Sequence, residues 1–144
     1  MAGRGFGCEN ETVVKVRRAY DPPQAADGFR VLVDRLWPRG LRKEDARVDL
    51  WLREAAPSDG LRRWFRHDPA RWEEFRRRYR EELRSSPALE ELRALARRAR
   101  RETVTLLFAA RDEAHNNAVV LAEFLRELSR AGRRPARKTS PALR

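Results

Sequence analysis

Two short polar clusters carry residue types that can bind an anion. They are residues 34–40 (Asp-Arg-Leu-Trp-Pro-Arg-Gly) and residues 111–117 (Arg-Asp-Glu-Ala-His-Asn-Asn). Arginine offers a planar guanidinium fork that matches the oxygens of a phosphate or a carboxylate. We therefore predict a site for a small anionic ligand, such as a nucleotide or a phosphorylated metabolite, held by Arg35, Arg39 and Arg111. The alternative is a closed structural network in which Asp34 pairs with Arg111 or Arg35.

A histidine in the second cluster suggests acid–base chemistry. His115 is the predicted acid–base residue because imidazole titrates near neutral pH, and Asp34 or Asp112 is predicted to orient it. The alternative is that His115 caps the following helix or positions other residues of the site without contacting the ligand.

Three further residues are predicted to contact the ligand. Trp37 lies between two arginines in a predicted loop, where its ring can stack on a planar ligand. Asn116 belongs to the second cluster, and His67 precedes Asp68 in a polar segment. The alternative for His67 is a structural residue that hydrogen bonds hold between two helices.

The sequence lacks the motifs of several enzyme classes. Its one cysteine, Cys8, excludes an internal disulfide and cysteine-based zinc or iron–sulfur sites. No His-x-x-x-His spacing favours a metal, and no Gly-x-Ser-x-Gly, Walker or Gly-x-Gly-x-x-Gly motif is present. We therefore expect no metal and no cofactor, and a covalent protein nucleophile is disfavoured.

The apolar pattern places both clusters at the ends of predicted strands. Strands are predicted where β-branched and apolar residues alternate or run together, at 12–17, 29–36 and 103–109. A long helical connection separates the second strand from the third, as a parallel crossover requires. We predict an α/β domain with a small, mainly parallel sheet flanked by helices. Ligands of such sheets bind beyond the carboxyl ends of the strands.

Helix start signals divide the long crossover. Residues 43–54 are predicted to be partly helical, and helices are predicted to begin after Ser58, after Asp68-Pro69 and after Ser86-Pro87. Asp112 is predicted to cap a last helix, which Gly132 ends.

The net charge is concentrated at one end of the chain. The 144 residues carry 33 Lys+Arg against 22 Asp+Glu, a formal charge of +11. Residues 130–144 contain six basic residues and no acidic one. We predict a flexible N-terminus at 1–11, a single α/β domain at 12–129 and a basic disordered tail at 130–144.

The basic tail supports an alternative function, in which the protein acts as a nucleic-acid-binding or regulatory protein. Cationic segments bind phosphates without sequence preference through counterion release. No apolar run approaches the roughly 20 residues of a membrane span, and no signal peptide is evident, so we expect a cytoplasmic protein without a membrane partner.

Three segments resemble the YeaO-like branch of the bacterial family called domain of unknown function 488. They are Asp-Gly-Phe-Arg-Val-Leu-Val-Asp-Arg-Leu-Trp-Pro-Arg-Gly at 27–40, Phe-Arg-His-Asp-Pro at 65–69 with Trp72 and Phe75, and residues 103–116. The resemblance covers residues 12–128 and implies a small cytoplasmic α/β protein, without assigning an activity. A sister branch has a Cys-His-Arg triplet where this chain has residues 115–117 (His-Asn-Asn), so thiol chemistry does not carry over.

Overall fold

Four parallel strands form one sheet in the computed structural model, which describes residues 12–133. The strands are β1 (Val14–Arg18), β2 (Phe29–Leu32), β3 (Leu50–Trp51) and β4 (Val104–Phe108), in the order β1-β4-β2-β3. Every pairing is parallel. The predicted α/β class and the parallel sheet are therefore confirmed.

The strand β3 was not predicted from the sequence. It has only two residues, too few to show the alternation that marks a strand. Backbone bonds hold it beside β2, since the N–H of Asp49 donates to the Arg30 carbonyl and that of Leu52 to the Leu32 carbonyl, both at 2.8 Å. The surrounding residues 43–54 are partly helical, as predicted.

Within residues 12–133, five α-helices surround the sheet: α1 (Lys43–Ala46), α2 (Asp59–Phe65), α3 (Trp72–Arg84), α4 (Leu89–Arg98) and α5 (Asn117–Arg133). The crossover before β4 contains α2, α3 and α4, which confirms the predicted helical connection. The predicted start signals make the expected bonds. The side-chain oxygens of Ser58, Asp68 and Ser86 accept hydrogen bonds from the N–H groups of Leu61, Ala70 and Ala88.

The last helix differs from its prediction at both ends. Asp112 accepts from the N–H groups of Ala114 and His115 and so caps a separate turn before the helix. The cap of α5 is Asn116, whose side-chain oxygen accepts from the Val119 N–H at 3.1 Å. His115 therefore precedes the helix instead of lying in its first turn.

The carboxyl end of α5 also lies further along the chain than predicted. The helix passes through Gly132 to Arg133, so residues 130–133 are helical. The rest of the predicted tail and the predicted flexible N-terminus lie outside the described residues. Within residues 12–133, no helix is both long and apolar enough to span a bilayer.

The main hydrophobic core lies between one face of the sheet and the helices. Val31 and Leu106 from the strands are fully buried against Tyr79 of α3, Leu92 of α4 and Leu121 of α5. A smaller apolar cluster forms on the opposite face, where residues 37–51 of the β2–β3 connection cover the sheet. Helices therefore cover one face of the sheet, whereas a single loop segment covers the other. The packing of the helical layer determines where α2 and α5 lie relative to the strand ends.

A buried ion-pair network lies on the less covered face. The side chain of Asp27 is 1% exposed and accepts from Arg17 Nη1 at 2.8 Å and from Arg30 Nη1 at 2.5 Å. Its carboxylate also accepts from the Gln24 N–H, and its carbonyl accepts from Thr105 Oγ1. Burial alone raises the pKa of Asp27, but these hydrogen bonds hold its pKa below the ordinary value.

Gly28 is the position where an added side chain has the least room. Its φ is +64°, and a Cβ there would lie 2.2 Å from the Thr103 carbonyl oxygen. We expect Gly28→Ala to lower the free energy of unfolding by at least about 2 kcal/mol, because it combines backbone strain with overpacking. Chemical denaturation of the wild type and the variant measures this difference.

The matched control for this prediction is Gly60→Ala in α2, where a Cβ meets nothing within 4 Å. Alanine is the better helix former, so this variant should gain up to about 1 kcal/mol. Equal effects at Gly28 and Gly60 would contradict the prediction.

Candidate functional site

A cavity of about 790 Å³ opens at the edge of the sheet where the parallel strands end. Its walls come from residues 34–39 after β2, residues 109–110 after β4, the start of α5, and α2 with the two residues that follow it. Strands β2 and β4 are parallel neighbours, with Leu32 opposite Leu107, so their following loops begin side by side. The topology of the sheet therefore creates the cavity.

The cavity brings together six of the nine residues that sequence reasoning nominated. Its lining includes Asp34, Arg35, Trp37, Arg39, His67 and Asn116. The other three nominated residues, Arg111, Asp112 and His115, are not among the lining residues. The first polar cluster thus faces the cavity, whereas the second contributes only its last two residues.

Three lining arginines were not nominated from the sequence. Arg62 and Arg63 lie on α2, and Arg66 ends that helix. Their spacing of one and three residues was the available signal, because it places them on adjoining parts of one helical turn. Nothing local in the sequence shows that α2 lies against the strand ends, so these residues were missed.

The five lining arginines differ in their partners. Arg62 pairs with Asp59 at 2.9 Å, and Arg35 Nε lies 3.7 Å from the same carboxylate. Within residues 12–133, Arg39, Arg63 and Arg66 form no ion pair. The predicted network of Asp34 with Arg35 or Arg111 is absent from these residues, since Arg35 pairs instead with Asp59. The cavity therefore presents guanidinium groups that a bound anion can use.

Among the described residues, Asp34 is the one carboxylate in the cavity lining. Its side chain links the end of β2 to the end of β4 and to the start of α5. Asp34 Oδ2 accepts a hydrogen bond from the Ala109 N–H at 2.9 Å, and Oδ1 accepts one from Asn117 Nδ2 at 3.1 Å. Burial raises the pKa of Asp34, and these two hydrogen bonds with the charge of nearby His67 oppose that rise only in part.

This raised pKa has a measurable consequence. A carboxyl whose pKa is higher in the folded protein stabilises the fold fully below its unfolded pKa of about 3.9, and this contribution is lost as pH rises through the folded pKa. We expect a carbon-detected NMR titration of the Asp34 carboxyl to have its midpoint above about 3.9. The wild type should also lose stability relative to Asp34→Asn over that pH range. A midpoint at or below the unfolded value would contradict the assignment.

The wall formed by the end of α2 has an unusual backbone. Arg66 and His67 are consecutive non-glycine residues with φ of +50° and +55°. Left-handed conformations are uncommon for non-glycine residues in general and tend to occur at ligand sites. Arg66 uses its conformation to end the helix, while the His67 ring lies 6.1 Å from Phe65. The turn places both side chains in the cavity lining.

The lining asparagines already have structural hydrogen bonds. Asn116 caps α5 and donates to the Asp112 carbonyl at 2.9 Å. Asn117 was not nominated, but its Nδ2 donates to Asp34 Oδ1 and to the Val33 carbonyl, both at 3.1 Å. These contacts make Asn117 the residue that ties the start of α5 to the end of β2.

Trp37 is half-buried at the cavity wall. Its Nε1 donates to the Leu41 carbonyl at 2.6 Å, and its ring packs edge-on against Trp51 with centroids 5.4 Å apart. The indole is therefore fixed in position before any ligand arrives. A fixed aromatic ring is well suited to pack against a planar group.

His115 belongs to a separate group of residues. Its Nδ1 lies 3.0 Å from Asp112 Oδ2, and its ring meets Trp72 edge-on at 5.1 Å. Hydrogen bonds from the Ala114 N–H and from His115 hold the pKa of Asp112 below its ordinary value. Arg111 is exposed beside this pair. Within the described part of the chain, no group of three or more potential ligands is placed to hold a metal ion.

Comparison with known proteins identifies a family and two close relatives. The family described as the inactive DUF488-N3 subclade matches residues 13–143. An uncharacterised protein of Mycobacterium tuberculosis, Rv3073c, is 50% identical over 115 residues, covering 80% of this chain and 95% of its own. The uncharacterised Escherichia coli protein YeaO is 41% identical over 115 residues, covering 80% of this chain and 98% of its own. No solved structure matches the chain.

Proposed function

This chain belongs to the bacterial DUF488 family, in the subclade described as inactive, and on that premise we propose that it binds a small anion without transforming it. The observation that carries the proposal is the charge of the cavity. In the part of the chain that the structure describes, five arginines line the cavity and one carboxylate, Asp34, does so. A cavity of about 790 Å³ also has the size usual for a small-molecule site. The ligand class is a nucleotide or a phosphorylated metabolite.

The arginines favour an anion with several oxygens. Arg63 and Arg66 are exposed at the rim and free of ion pairs within residues 12–133, so binding need not break an existing pair. Arg35 has a long contact to Asp59, and its Nη2 donates to the Pro57 carbonyl at 3.2 Å, so its Nη1 remains for a ligand oxygen. Guanidinium groups from the β2 loop and from α2 lie on different walls of the cavity, which allows them to surround a phosphate.

The residue types in the cavity lining favour ligand binding over catalysis. Among the residues that the structure describes, the lining contains no Ser, Thr, Cys or Lys, four of the side chains that form covalent intermediates in enzymes. His115, the predicted acid–base residue, is engaged with Asp112 and Trp72 outside the lining. The family's description as inactive is consistent with a binding role.

The alternative of nucleic-acid binding receives less support from the described surface. The arginine-rich helix α3 is neutralised by its own acids, since Glu74 pairs with both Arg77 and Arg78. These two arginines lower the pKa of Glu74 to about 2. Arg76 and Arg80 turn instead to Glu123 of α5. A surface covered by ion pairs attracts phosphates less than its count of arginines suggests.

Thermal unfolding in ribose 5-phosphate and in pyrophosphate tests the proposal. A ligand that binds only the folded state raises the Tm with its concentration, because the stabilisation follows RT ln(1 + [L]/Kd). We expect both anions to raise the Tm at constant ionic strength, and neutral ribose to have no effect. Arg111→Ala is the control, because Arg111 is exposed and outside the cavity lining, so its response should equal that of the wild type. Equal shifts with ribose, or none with either anion, would reject the proposal.

A further inference from the structure

The carboxylate of Asp34 is the least expected charge in a cavity for anions. Five arginines of the described residues line the same cavity as Asp34, yet within residues 12–133 its carboxylate forms no ion pair with any of them. Its protein partners are two N–H donors, the Ala109 backbone and the Asn117 amide. A largely buried carboxylate without a cationic partner is costly, because burial removes water without supplying an opposite charge. The side chain therefore has unused capacity to accept hydrogen bonds.

The Asp34 carboxylate can accept more hydrogen bonds than the protein donates to it. An ionised carboxylate has about four lone-pair sites, and the two protein donors occupy one on each oxygen. About two sites remain, one on each oxygen, and Asp34 contributes to the cavity lining. Two adjacent acceptors of this kind match a ligand edge that carries two adjacent N–H donors.

The apolar residues of the cavity lining suit a flat ligand group. Trp37, Pro38, Phe65 and Phe75 line the cavity together with Asp34, and the Trp37 ring is fixed by its own hydrogen bond. Planar heterocycles pack well on such apolar and aromatic surfaces. The arginines of α2 lie on another wall of the same cavity. The lining of the cavity thus combines arginines, one carboxylate among the described residues, and apolar and aromatic side chains.

We propose, building on the anion-binding function above, that the ligand has an anionic group for the arginines and a planar edge with paired N–H donors for Asp34. Guanine has such an edge, since its N1–H and its exocyclic amine point the same way. Adenine presents an acceptor nitrogen beside its amine, which a carboxylate repels. The ligand class is therefore a guanine nucleotide in preference to an adenine nucleotide, with the phosphate held by arginines such as Arg63 and Arg66.

Calorimetric titration of the full chain with GMP, AMP and ribose 5-phosphate tests this specificity. We expect GMP to bind about tenfold more tightly than AMP, in line with the discrimination of a bidentate contact to a base edge. Asp34→Asn should remove the preference for GMP while leaving the binding of ribose 5-phosphate in place. Asp45→Asn makes the same chemical change on the exposed helix α1 and should keep the wild-type preference.

The outcomes separate this inference from the proposed function. Equal binding of GMP and AMP, with ribose 5-phosphate also bound, would overturn the guanine preference and leave the anion site standing. Failure of all three to bind would overturn both. If Asp34→Asn does not fold, the wild type still decides: the Asp34 carboxyl carbon resonance should move on addition of GMP and stay unchanged with AMP. A preference that survives in a folded Asp34→Asn protein would also overturn the inference.

Discussion

Replacing Asp27 with alanine is expected to lower the free energy of unfolding by about 3–5 kcal/mol, the usual effect of removing one partner of a buried ion pair. The variant leaves Arg30, which is 5% exposed, without the carboxylate that neutralises it. Arg17 at the same time loses the contacts that its Nη1 makes with both carboxylate oxygens. The Gln24 N–H also loses its acceptor. Urea denaturation of the two proteins measures the difference.

The effect of Asp27 should also depend on pH with a defined sign. Its pKa is lowered in the folded protein, so its stabilising contribution is present above the unfolded pKa of about 3.9 and is lost as pH falls through the folded pKa. The gap between wild type and Asp27→Ala should therefore narrow in acid. Asp45→Ala is the control, because Asp45 is exposed and pairs only across one helical turn. A loss below about 1 kcal/mol for Asp27→Ala would show that the network contributes little.

Reversing two charges at the cavity should abolish anion binding. The double variant Arg63→Glu/Arg66→Glu replaces two cations with two anions in a cavity that already contains Asp34. Removal of one charge-assisted hydrogen bond costs about 1.5–3 kcal/mol, so the loss of two with added repulsion should weaken ribose 5-phosphate binding at least about 100-fold. Calorimetric titration of wild type and variant measures it.

The control for charge reversal is Arg93→Glu/Arg97→Glu on the outer side of α4. Both arginines are exposed and neither lines the cavity, while the change in net charge is identical. This control separates a local site from attraction to the whole basic protein. Its affinity should stay within about threefold of the wild type at physiological salt, where distant surface charges are screened. An equal loss in both double variants would assign binding to the net charge.

The fold was largely predictable because its signals are local. The buried strand β4 has five consecutive buried residues, and the side chains of Ser58, Asp68 and Ser86 accept backbone N–H bonds at or just before the starts of α2, α3 and α4. Strand β3 and the true start of α5 were missed for a common reason. Both depend on which backbone groups form hydrogen bonds in the folded protein, which the local sequence does not determine. For the start of α5, Asp112 and Asn116 are equally plausible caps by residue type.

The candidate site was predictable only in part, since tertiary placement decides it. The β2 loop was found because its polar residues follow an apolar strand. The arginines of α2 resemble the solvated side of any short helix, and only the packing of the crossover brings them to the strand ends. Arg111 was predicted to bind the ligand because it adjoins other polar residues in the sequence. In the structure a turn capped by Asp112 follows Arg111, and the Arg111 side chain is exposed.

The most direct test of an anion site at this cavity is NMR mapping of ribose 5-phosphate binding on the full chain. If the cavity binds the anion through its arginines, the largest shifts should occur at the side-chain Nε–H groups of Arg63 and Arg66, which belong to the cavity lining. These shifts should saturate together with one Kd. Shifts that instead fall mainly in residues 134–144 or on α3, or that never saturate, would contradict the account.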